Sequence, residues 1–314
     1  VKEIIEKFKL KSQVRHMASK DVLLNVLEKF TSSYINLTPF EKNDPDGRKL
    51  PPLSNLGMGY VFEELIRKFN EDNNEEAGEH FTPREVIDLM THVIFESIKD
   101  KLPPVMTIYD GACGSGGMLT ESQNFIKDED GIIKAKGDVY LYGKEINDET
   151  YAICKSDLLI KGQNASNIKK GNSISEDQLS NEKFDYLITN PPFGVKWEKF
   201  GKKVKEEHEQ LGHGGRFGAG LPSVGDGSLL FLMQLMSKMK PEGSRLAIVF
   251  NGSPLFSGSP SKTKNESSIR QWIIENDFLE GIVALPDQMF YNTEIGTYVW
   301  ILTNRKTKHN KGMV

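Results

Sequence analysis

From about residue 80 onward, short β-rich runs alternate with stretches of helical periodicity, and this alternation constrains the fold more than any other feature. The runs are VMTIYD (105–110), DVYLYGKE (138–145), FDYLITN (184–190), SRLAIVF (244–250), FLEGIVAL (278–285) and TYVWILT (297–303), with a further short strand at 165–169. Helical patterns fill the gaps at 83–98, 148–161, 228–239 and 266–276. The alternation predicts a parallel α/β sheet with helices on both faces. In such sheets ligands bind at the carboxyl ends of the strands, so the residues that follow each run are candidates for a site.

The first 75 residues have a different pattern, which predicts a separate helical domain. Apolar residues from Val22 to Phe30 fall on one helical face, and a second stripe runs from Met58 to Phe69. Between them, EKNDPDGRKLPPLSN (41–55) predicts a loop, and the acidic stretch 71–79 predicts a hydrated connector. We therefore expect an N-terminal helical domain at 1–75 and an α/β domain at 76–314.

Composition excludes several classes of protein. The 38% apolar and 27% charged residues are typical of a globular chain, and no apolar run approaches the roughly 20 residues that a membrane span needs. The two cysteines, Cys113 and Cys154, are far apart in the sequence and lack metal-ligand spacing. This cysteine usage predicts a cytoplasmic protein without disulfides and without a metal site, and the lack of a long apolar run predicts no membrane association.

The first strand run ends in a glycine-rich loop, DGACGSGG (110–117), which is followed by the helix-like MLTESQNFI. Small residues allow a sharp turn and a close approach of ligand to backbone, and the helix N-terminus behind them presents free N–H groups. A dinucleotide fingerprint fails because Leu119 stands where its third glycine is required, and no Gly-Lys-Ser/Thr follows as in a P-loop. The loop therefore predicts either a different ligand site or a purely structural turn.

The second run ends in Glu145, one crossover after the glycine loop. A carboxylate at that strand end can accept two hydrogen bonds from a ribose diol. The alternative is a solvated surface carboxylate.

A third feature, Asn190-Pro191-Pro192-Phe193, directly follows the run FDYLITN. The prolines remove two N–H donors and leave carbonyl acceptors, and Asn190 adds a side-chain acceptor. Such a corner suits an amino group, and Phe193 offers a face on which a planar base can stack. The alternative is a proline-rich turn closed by an ordinary core phenylalanine.

The glycine loop and the Asn190–Phe193 motif, in this order, resemble the cofactor and catalytic motifs of amino-group DNA methyltransferases. Upstream, GEHFTPR (78–84) resembles the Phe-Thr-Pro motif of their adenine-specific branch. The stretches 242–250 and 269–306 resemble the modification subunit of type I restriction-modification systems, and the resemblance covers nearly the whole chain. It implies a Rossmann-like, S-adenosylmethionine-dependent methyltransferase sheet and methyl transfer to N6 of adenine.

The resemblance also implies which residues form the site. The cofactor-binding residues would be Glu79, His80, Phe81, Thr82, Pro83, Arg84, Asp110, Ala112, Gly114, Ser115, Gly116, Gly117, Glu145 and Asn172. Residues 79–84 and 115–117 would line the methionine end, Asp110 would hold the amino group, and Glu145 the ribose. Asn172 stands where the family often has Asp, beside the cofactor's adenine. Asn190, Pro191, Pro192 and Phe193 would hold a target adenine flipped out of double-stranded DNA.

The stretch 194–227 predicts either a surface loop or a mobile lid over the flipped base. Its cations Lys196, Lys199, Lys202, Lys203 and Arg216 are candidates for phosphate contacts. For its two histidines, His208 and His213, we expect solvated side chains without a role.

The resemblance implies further partners, namely a specificity subunit that reads the DNA site and a restriction subunit, with two copies of this chain per specificity subunit. The net charge of −4 fits this, because a protein that grips DNA alone usually has a basic excess. Three alternatives remain open. They are a stand-alone adenine-N6 methyltransferase, a protein-glutamine methyltransferase and a degenerate scaffold that binds DNA or a partner.

Overall fold

The computed structural model describes residues 2–53, 82–128, 130–259, 265–290 and 295–314, together with the isolated positions Met58, Val61, Glu64, Leu65 and Lys68. The predicted cofactor residues Glu79, His80 and Phe81, the acidic connector, and most of the predicted helix 58–69 lie outside this part. In the described ranges, no helix combines the length and the apolar character needed to cross a bilayer.

The N-terminal residues form three short helices, α1 (Lys2–Lys7), α2 (Leu10–Ser19) and α3 (Leu23–Phe30), none of which contains a buried residue. A small antiparallel hairpin, β1 (Lys42–Asn43) and β2 (Lys49–Leu50), lies within the segment expected to be only a loop. The hairpin forms because the Asp44 carboxylate accepts hydrogen bonds from two backbone N–H groups of the turn, those of Asp46 and Arg48.

The rest of the chain is built on a seven-stranded sheet. Its strands are β3 (Val105–Asp110), β4 (Asp138–Glu145), β5 (Ile168–Lys170), β6 (Tyr186–Thr189), β7 (Arg245–Asn251), β8 (Leu279–Ala284) and β9 (Thr297–Thr303). The spatial order is β5-β4-β3-β6-β7-β9-β8. Every predicted run therefore contains a strand. The predicted short strand begins three residues later than expected and ends one residue later, because a 3-10 turn occupies Ala165–Asn167.

The prediction of an all-parallel sheet is wrong for β9, which pairs antiparallel with both β7 and β8. The other strands run parallel to one another. A parallel connection needs a crossover of a dozen or more residues, which is usually a helix. The sequence between the last two runs has no helical pattern, so it offers no crossover helix for a parallel pairing.

Helices cover both faces of the sheet, as predicted. One face carries α4 (Arg84–Phe95), α5 (Gly117–Lys127) and α6 (Asp148–Ile160). The other carries α7 (Gly201–Leu211), α8 (Ser228–Met236) and α10 (Glu266–Glu275), while the short α9 (Ser253–Phe256) follows β7. Strand side chains alternate between the two faces, so Ile108 packs with the first set and Tyr109 with the second. All nine residues of α8 are buried, which explains why its sequence is apolar apart from Ser228 and Gln234.

The N-terminal helix α1 is attached to α6 by polar contacts. Glu3 accepts hydrogen bonds from the Tyr151 hydroxyl at 2.9 Å and from the Lys155 ammonium at 2.8 Å. Lys7 pairs with Asp148 at 2.8 Å. The N-terminal segment therefore contacts the helix that follows Glu145, although α1 buries no residue of its own.

The stretch 194–227 is ordered rather than an open loop. It contains a 3-10 turn at Glu198–Phe200 and the helix α7, and its Trp197 and Phe217 are buried in the core. The expectation for His208 is wrong, since the ring is buried and its Nδ1 lies 2.6 Å from the Phe217 carbonyl oxygen.

The interpretation of Arg216 as a phosphate ligand is also wrong. Its guanidinium forms a bidentate pair with the Glu207 carboxylate, at 2.6 Å for the shortest contact, and donates to the Ser173 carbonyl at 3.0 Å. Both side chains of the pair are mostly buried. Planar guanidinium and carboxylate groups match in this geometry, so the arginine fixes α7 against the loop after β5.

Candidate active site

A cavity of about 260 Å³ opens at the carboxyl ends of the parallel strands. It lies where the strand order reverses, because β3 pairs with β4 on one side and with β6 on the other. The predicted residues that line it are Thr82, Arg84, Asp110, Ala112, Gly114, Ser115, Gly117, Glu145, Asn172, Asn190 and Pro192. Pro83, Gly116, Pro191 and Phe193 lie outside the lining. The fold thus brings most of the described candidates into one site.

The glycine loop needs its glycines for conformation and for space. Gly114 and Gly116 have φ values of +52° and +90°, which residues with a Cβ rarely adopt. A Cβ on Gly116 would lie 2.7 Å from the Cys154 Sγ, and this Sγ is 4.0 Å from that of Cys113. The loop therefore packs directly on α6, and the two cysteines that are distant in sequence are neighbours in the fold.

Glu145 is buried, which rules out the solvated carboxylate considered above. One carboxylate oxygen accepts from the Gly114 N–H at 2.8 Å, and the other accepts from the Asn147 N–H at 2.6 Å. Each carboxylate oxygen has a second lone-pair site, so Glu145 can accept further hydrogen bonds in the cavity that it lines. It holds the glycine loop in place as well.

Asp110 lies at the bottom of the loop and is almost fully buried. Its Oδ1 accepts from the Thr189 hydroxyl at 2.5 Å and from the Ala112 N–H at 2.9 Å. Burial raises the pKa of this carboxyl to about 7, and the charge of Glu145 adds to the shift, although the two hydrogen bonds oppose it. A positive charge in the cavity would stabilise the ionised form.

Asn172 shapes the loop after β5. Its side-chain oxygen accepts from the N–H groups of Ile174 at 2.8 Å and Ser175 at 3.1 Å. An aspartate could accept the same two bonds, so the asparagine preserves this local structure.

Lys144 is a residue that the sequence did not single out, and its side chain is almost fully buried. Its ammonium donates to the main-chain oxygen of Asn172 at 3.3 Å and to that of Glu176. Burial lowers the pKa of this lysine to about 8. In the sequence, only its position beside Glu145 in a β run could have indicated that Lys144 lines the site. A lysine at such a position is usually interpreted as a surface residue.

Ser173 and Ile146 are among the other lining residues that the sequence analysis missed. Ser173 donates to the Gly111 carbonyl oxygen, and Ile146 exposes 62% of its surface directly after Glu145. An apolar residue next to a strand-end carboxylate is a sequence signal for a ligand surface that we could have used.

Asn190 has the most distinctive environment in the cavity. Its Nδ2 donates to the Thr82 hydroxyl oxygen at 3.1 Å, while its Oδ1 is buried and has no hydrogen-bond partner among the described residues. Buried polar atoms are nearly always paired in folded proteins. An unpaired acceptor at a strand end that lines a cavity therefore indicates a site for a hydrogen-bond donor of a ligand.

The Phe193 ring is half-buried and packs edge-on against Phe290, with ring centroids 6.0 Å apart. Pro192 lines the cavity, whereas Pro191 is buried. The aromatic residue thus stands beside the cavity rather than in its wall.

The lining has more acidic than basic groups. Four carboxylates (Asp110, Glu121, Glu145 and Asp157) face two cations (Arg84 and Lys144). Asp157 is already paired with Lys161 at 3.0 Å. The other carboxylates and the N-terminus of α5 suit a ligand that carries positive charge, hydroxyl groups and a carboxylate.

Comparison with known proteins agrees with the motifs. A family model described as N-6 DNA methylase matches residues 54–314. The chain is 29% identical over 254 residues to the methylase subunit of the type I restriction enzyme HindI from Haemophilus influenzae, with 80% of this chain and 52% of that protein covered.

Two solved structures extend the comparison. The methyltransferase subunit of a type I restriction-modification system from Streptococcus thermophilus is similar with a TM-score of 0.65 and 26% identity, over 82% of this chain and 55% of that one. A Listeria monocytogenes protein described as a class I S-adenosylmethionine-dependent methyltransferase shares the fold, with a TM-score of 0.60 and 17% identity over 81% and 70% of the two chains.

The chain spans about half the length of the type I subunits that it matches. The predicted fold class is confirmed, and so is the resemblance to type I modification subunits. Because the family model covers most of the sequence, the chain belongs to the N-6 DNA methylase family.

Proposed function

We propose that this chain is the catalytic core of a type I modification subunit, which transfers a methyl group from S-adenosylmethionine to N6 of adenine in double-stranded DNA. One observation carries the proposal. Asn190 lines the same cavity as the glycine loop, and its buried Oδ1 has no hydrogen-bond partner among the described residues. An exocyclic amino group is a donor that would satisfy it.

The residues present fit the cofactor. Its carboxylate suits the N–H groups at the N-terminus of α5, its ribose diol suits the remaining acceptor sites of Glu145, and its sulfonium charge suits the acidic lining. Bound there, S-adenosylmethionine supplies an electrophilic methyl group. Glu145 and Asp110 keep the loop in shape through the Gly114 and Ala112 N–H groups.

The target base would be held by the motif after β6. Asn190 Oδ1 and the Pro191 carbonyl accept the two amino hydrogens, which raises electron density on the amino nitrogen. The base must leave the duplex to reach them, at a cost of a few kcal/mol. Phe193, already braced by Phe290, would offset part of this cost by stacking, worth about 1–3 kcal/mol.

Contacts to DNA would come from the segment beside the cavity. Val195 and Phe200 line the cavity, and the lysines around them (Lys196, Lys199, Lys202 and Lys203) are exposed. The net charge of −4 is unfavourable for autonomous DNA binding. We therefore propose that a specificity subunit recognises the DNA sequence and that a restriction subunit completes the complex.

Methyl transfer from labelled cofactor to DNA by the assembled enzyme tests the proposal. Asn190→Ala should lower kcat by at least about a hundredfold, because it removes the acceptor, while leaving cofactor affinity within about threefold. Near-normal transfer by this variant would overturn the proposal. Label appearing in protein instead of DNA would favour a glutamine methyltransferase.

Gln234 provides a matched control. It is another buried amide with an unpaired oxygen, its Nε2 donates to the Tyr109 hydroxyl at 3.1 Å, and it does not line the cavity. Gln234→Met should keep kcat within about threefold, since its amide faces no ligand. If both variants lose kcat equally, the loss comes from disturbing a buried amide and not from removing an acceptor at the cavity.

A further inference from the structure

Thr82 and Asn190 meet in the cavity although 108 positions separate them in the sequence. Thr82 directly precedes Pro83, which caps α4 with φ −54°, so the threonine is fixed at the start of a buried helix. Asn190 directly follows β6. The hydrogen bond between Asn190 Nδ2 and Thr82 Oγ1, 3.1 Å long, therefore joins two rigid elements across the site.

An asparagine amide has two ends of nearly equal size and opposite hydrogen-bonding character. A rotation of 180° exchanges Oδ1 and Nδ2 with little change in shape. Only the orientation in which Nδ2 pairs with Thr82, and Oδ1 has no partner among the described residues, offers an acceptor to an amino group. The reverse orientation would present an N–H₂ group, which repels a donor.

A threonine hydroxyl donates one hydrogen bond and accepts others. In an empty cavity it can therefore satisfy either end of the asparagine amide. Once its hydrogen is donated elsewhere, it can only accept, and the Asn190 group that it then pairs with must be Nδ2. Thr82 lines the cavity, and a ligand carboxylate there is a strong acceptor for a hydroxyl hydrogen.

We propose that Thr82 is a positioning residue that couples cofactor binding to the orientation of the Asn190 amide. With cofactor bound, Thr82 donates to the cofactor's carboxylate and accepts from Asn190 Nδ2, so Oδ1 is held toward the target. The inference rests on the proposed function, because it assumes that Oδ1 receives the target amino group. Thr82 itself does not touch the reacting atoms.

Thr82→Val keeps the shape of the side chain and removes the hydroxyl. Asn190 Nδ2 then lacks its acceptor in the productive orientation, so kcat at saturating cofactor should fall roughly tenfold to a hundredfold. Thr82→Ser, which keeps the hydroxyl, should stay within about threefold of the parent. Thr82→Ala provides a second variant without the hydroxyl, in case valine disturbs folding.

A binding measurement separates this role from a structural one. The probe is a duplex oligonucleotide with the target adenine, compared with one that has purine, which lacks the amino group, at that position. S-adenosylhomocysteine should tighten binding of the adenine duplex more than the purine duplex in the parent enzyme and in Thr82→Ser. This difference should disappear in Thr82→Val and Thr82→Ala.

The outcomes distinguish the two proposals. If Asn190→Ala abolishes transfer while Thr82→Val keeps a normal kcat and normal coupling, only the role of Thr82 is overturned. The role of Thr82 is also overturned if Thr82→Ser loses as much kcat as Thr82→Val, because the loss would then not depend on the hydroxyl. If Asn190→Ala retains methyl transfer, the proposed function is overturned, and with it the role of Thr82 that rests on it.

Discussion

The substitution Gly116→Ala tests whether the glycine loop is held in shape by its contact with α6. Gly116 has a φ of +90°, and an added Cβ would lie 2.7 Å from the Cys154 Sγ. The left-handed conformation costs a non-glycine residue about 1–2 kcal/mol. The clash costs about 1–3 kcal/mol more, because the buried thiol cannot move away freely.

We therefore expect Gly116→Ala to lower the free energy of unfolding by about 2–5 kcal/mol. Urea unfolding followed by tryptophan fluorescence measures the change. Gly117→Ala is the matched control, since a Cβ there meets nothing within 4 Å and its φ is not positive. Its effect should stay within about 0.5–1 kcal/mol, and an alanine at this position can even stabilise α5.

A double-mutant cycle separates the two costs. In a Cys154→Ala background the clash is removed but the strained φ remains, so Gly116→Ala should then cost only about 1–2 kcal/mol. Equal costs in both backgrounds would refute the assignment of the clash to Cys154. Equal costs for Gly116→Ala and Gly117→Ala would refute the whole argument.

Three further predictions concern the groups around the loop. Glu145→Gln should weaken cofactor binding at least tenfold by calorimetry. The glutamine amide has a single acceptor oxygen, so either the Gly114 or the Asn147 N–H loses its partner, at about 1–3 kcal/mol; unchanged affinity would contradict this. The pKa of Asp110 is about 7 in the folded protein and about 3.9 in an unfolded chain, so its contribution to stability is present below pH 4 and lost as the pH rises toward 7. Asp110→Asn should flatten the fall in urea midpoint between pH 5 and 7.5, and an undiminished fall would exclude Asp110 as its cause. Arg216→Met should destabilise the protein by about 3 kcal/mol in thermal unfolding, because it leaves the Glu207 carboxylate without its partner. The double variant Arg216→Met/Glu207→Leu should recover most of that loss, and no recovery would mean that the two side chains are not coupled.

The strands were predictable because each buried run is flanked by turns and rich in β-branched and aromatic residues. The run 105–110 matches β3 at both ends, and 297–303 matches β9. The direction of β9 was not predicted, because the alternation of apolar residues is the same in parallel and antiparallel strands. In the sequence, only the lack of a helical pattern between the last two runs indicated the reversal.

The site was predictable where its residues are contiguous in sequence. The glycine loop and the Asn190 motif each carry their chemistry in a few neighbouring positions, and the fold brings both to one cavity. Contacts between distant positions left no local signal. Tertiary packing creates three such features: the Thr82–Asn190 hydrogen bond, the neighbouring thiols of Cys113 and Cys154, and the burial of Lys144.

The reversed strand β9 determines where residues 304–314 leave the sheet. Thr303 pairs with Arg245 at the amino end of β7, and the Gly312 N–H donates to Asp277, just before β8. This edge is opposite the carboxyl ends that form the cavity. A cysteine introduced at Val314 would therefore carry a fluorophore or surface tether on the far side of the molecule. Both native thiols are buried, so such a label would attach selectively and leave the cavity open for single-molecule measurements of DNA engagement.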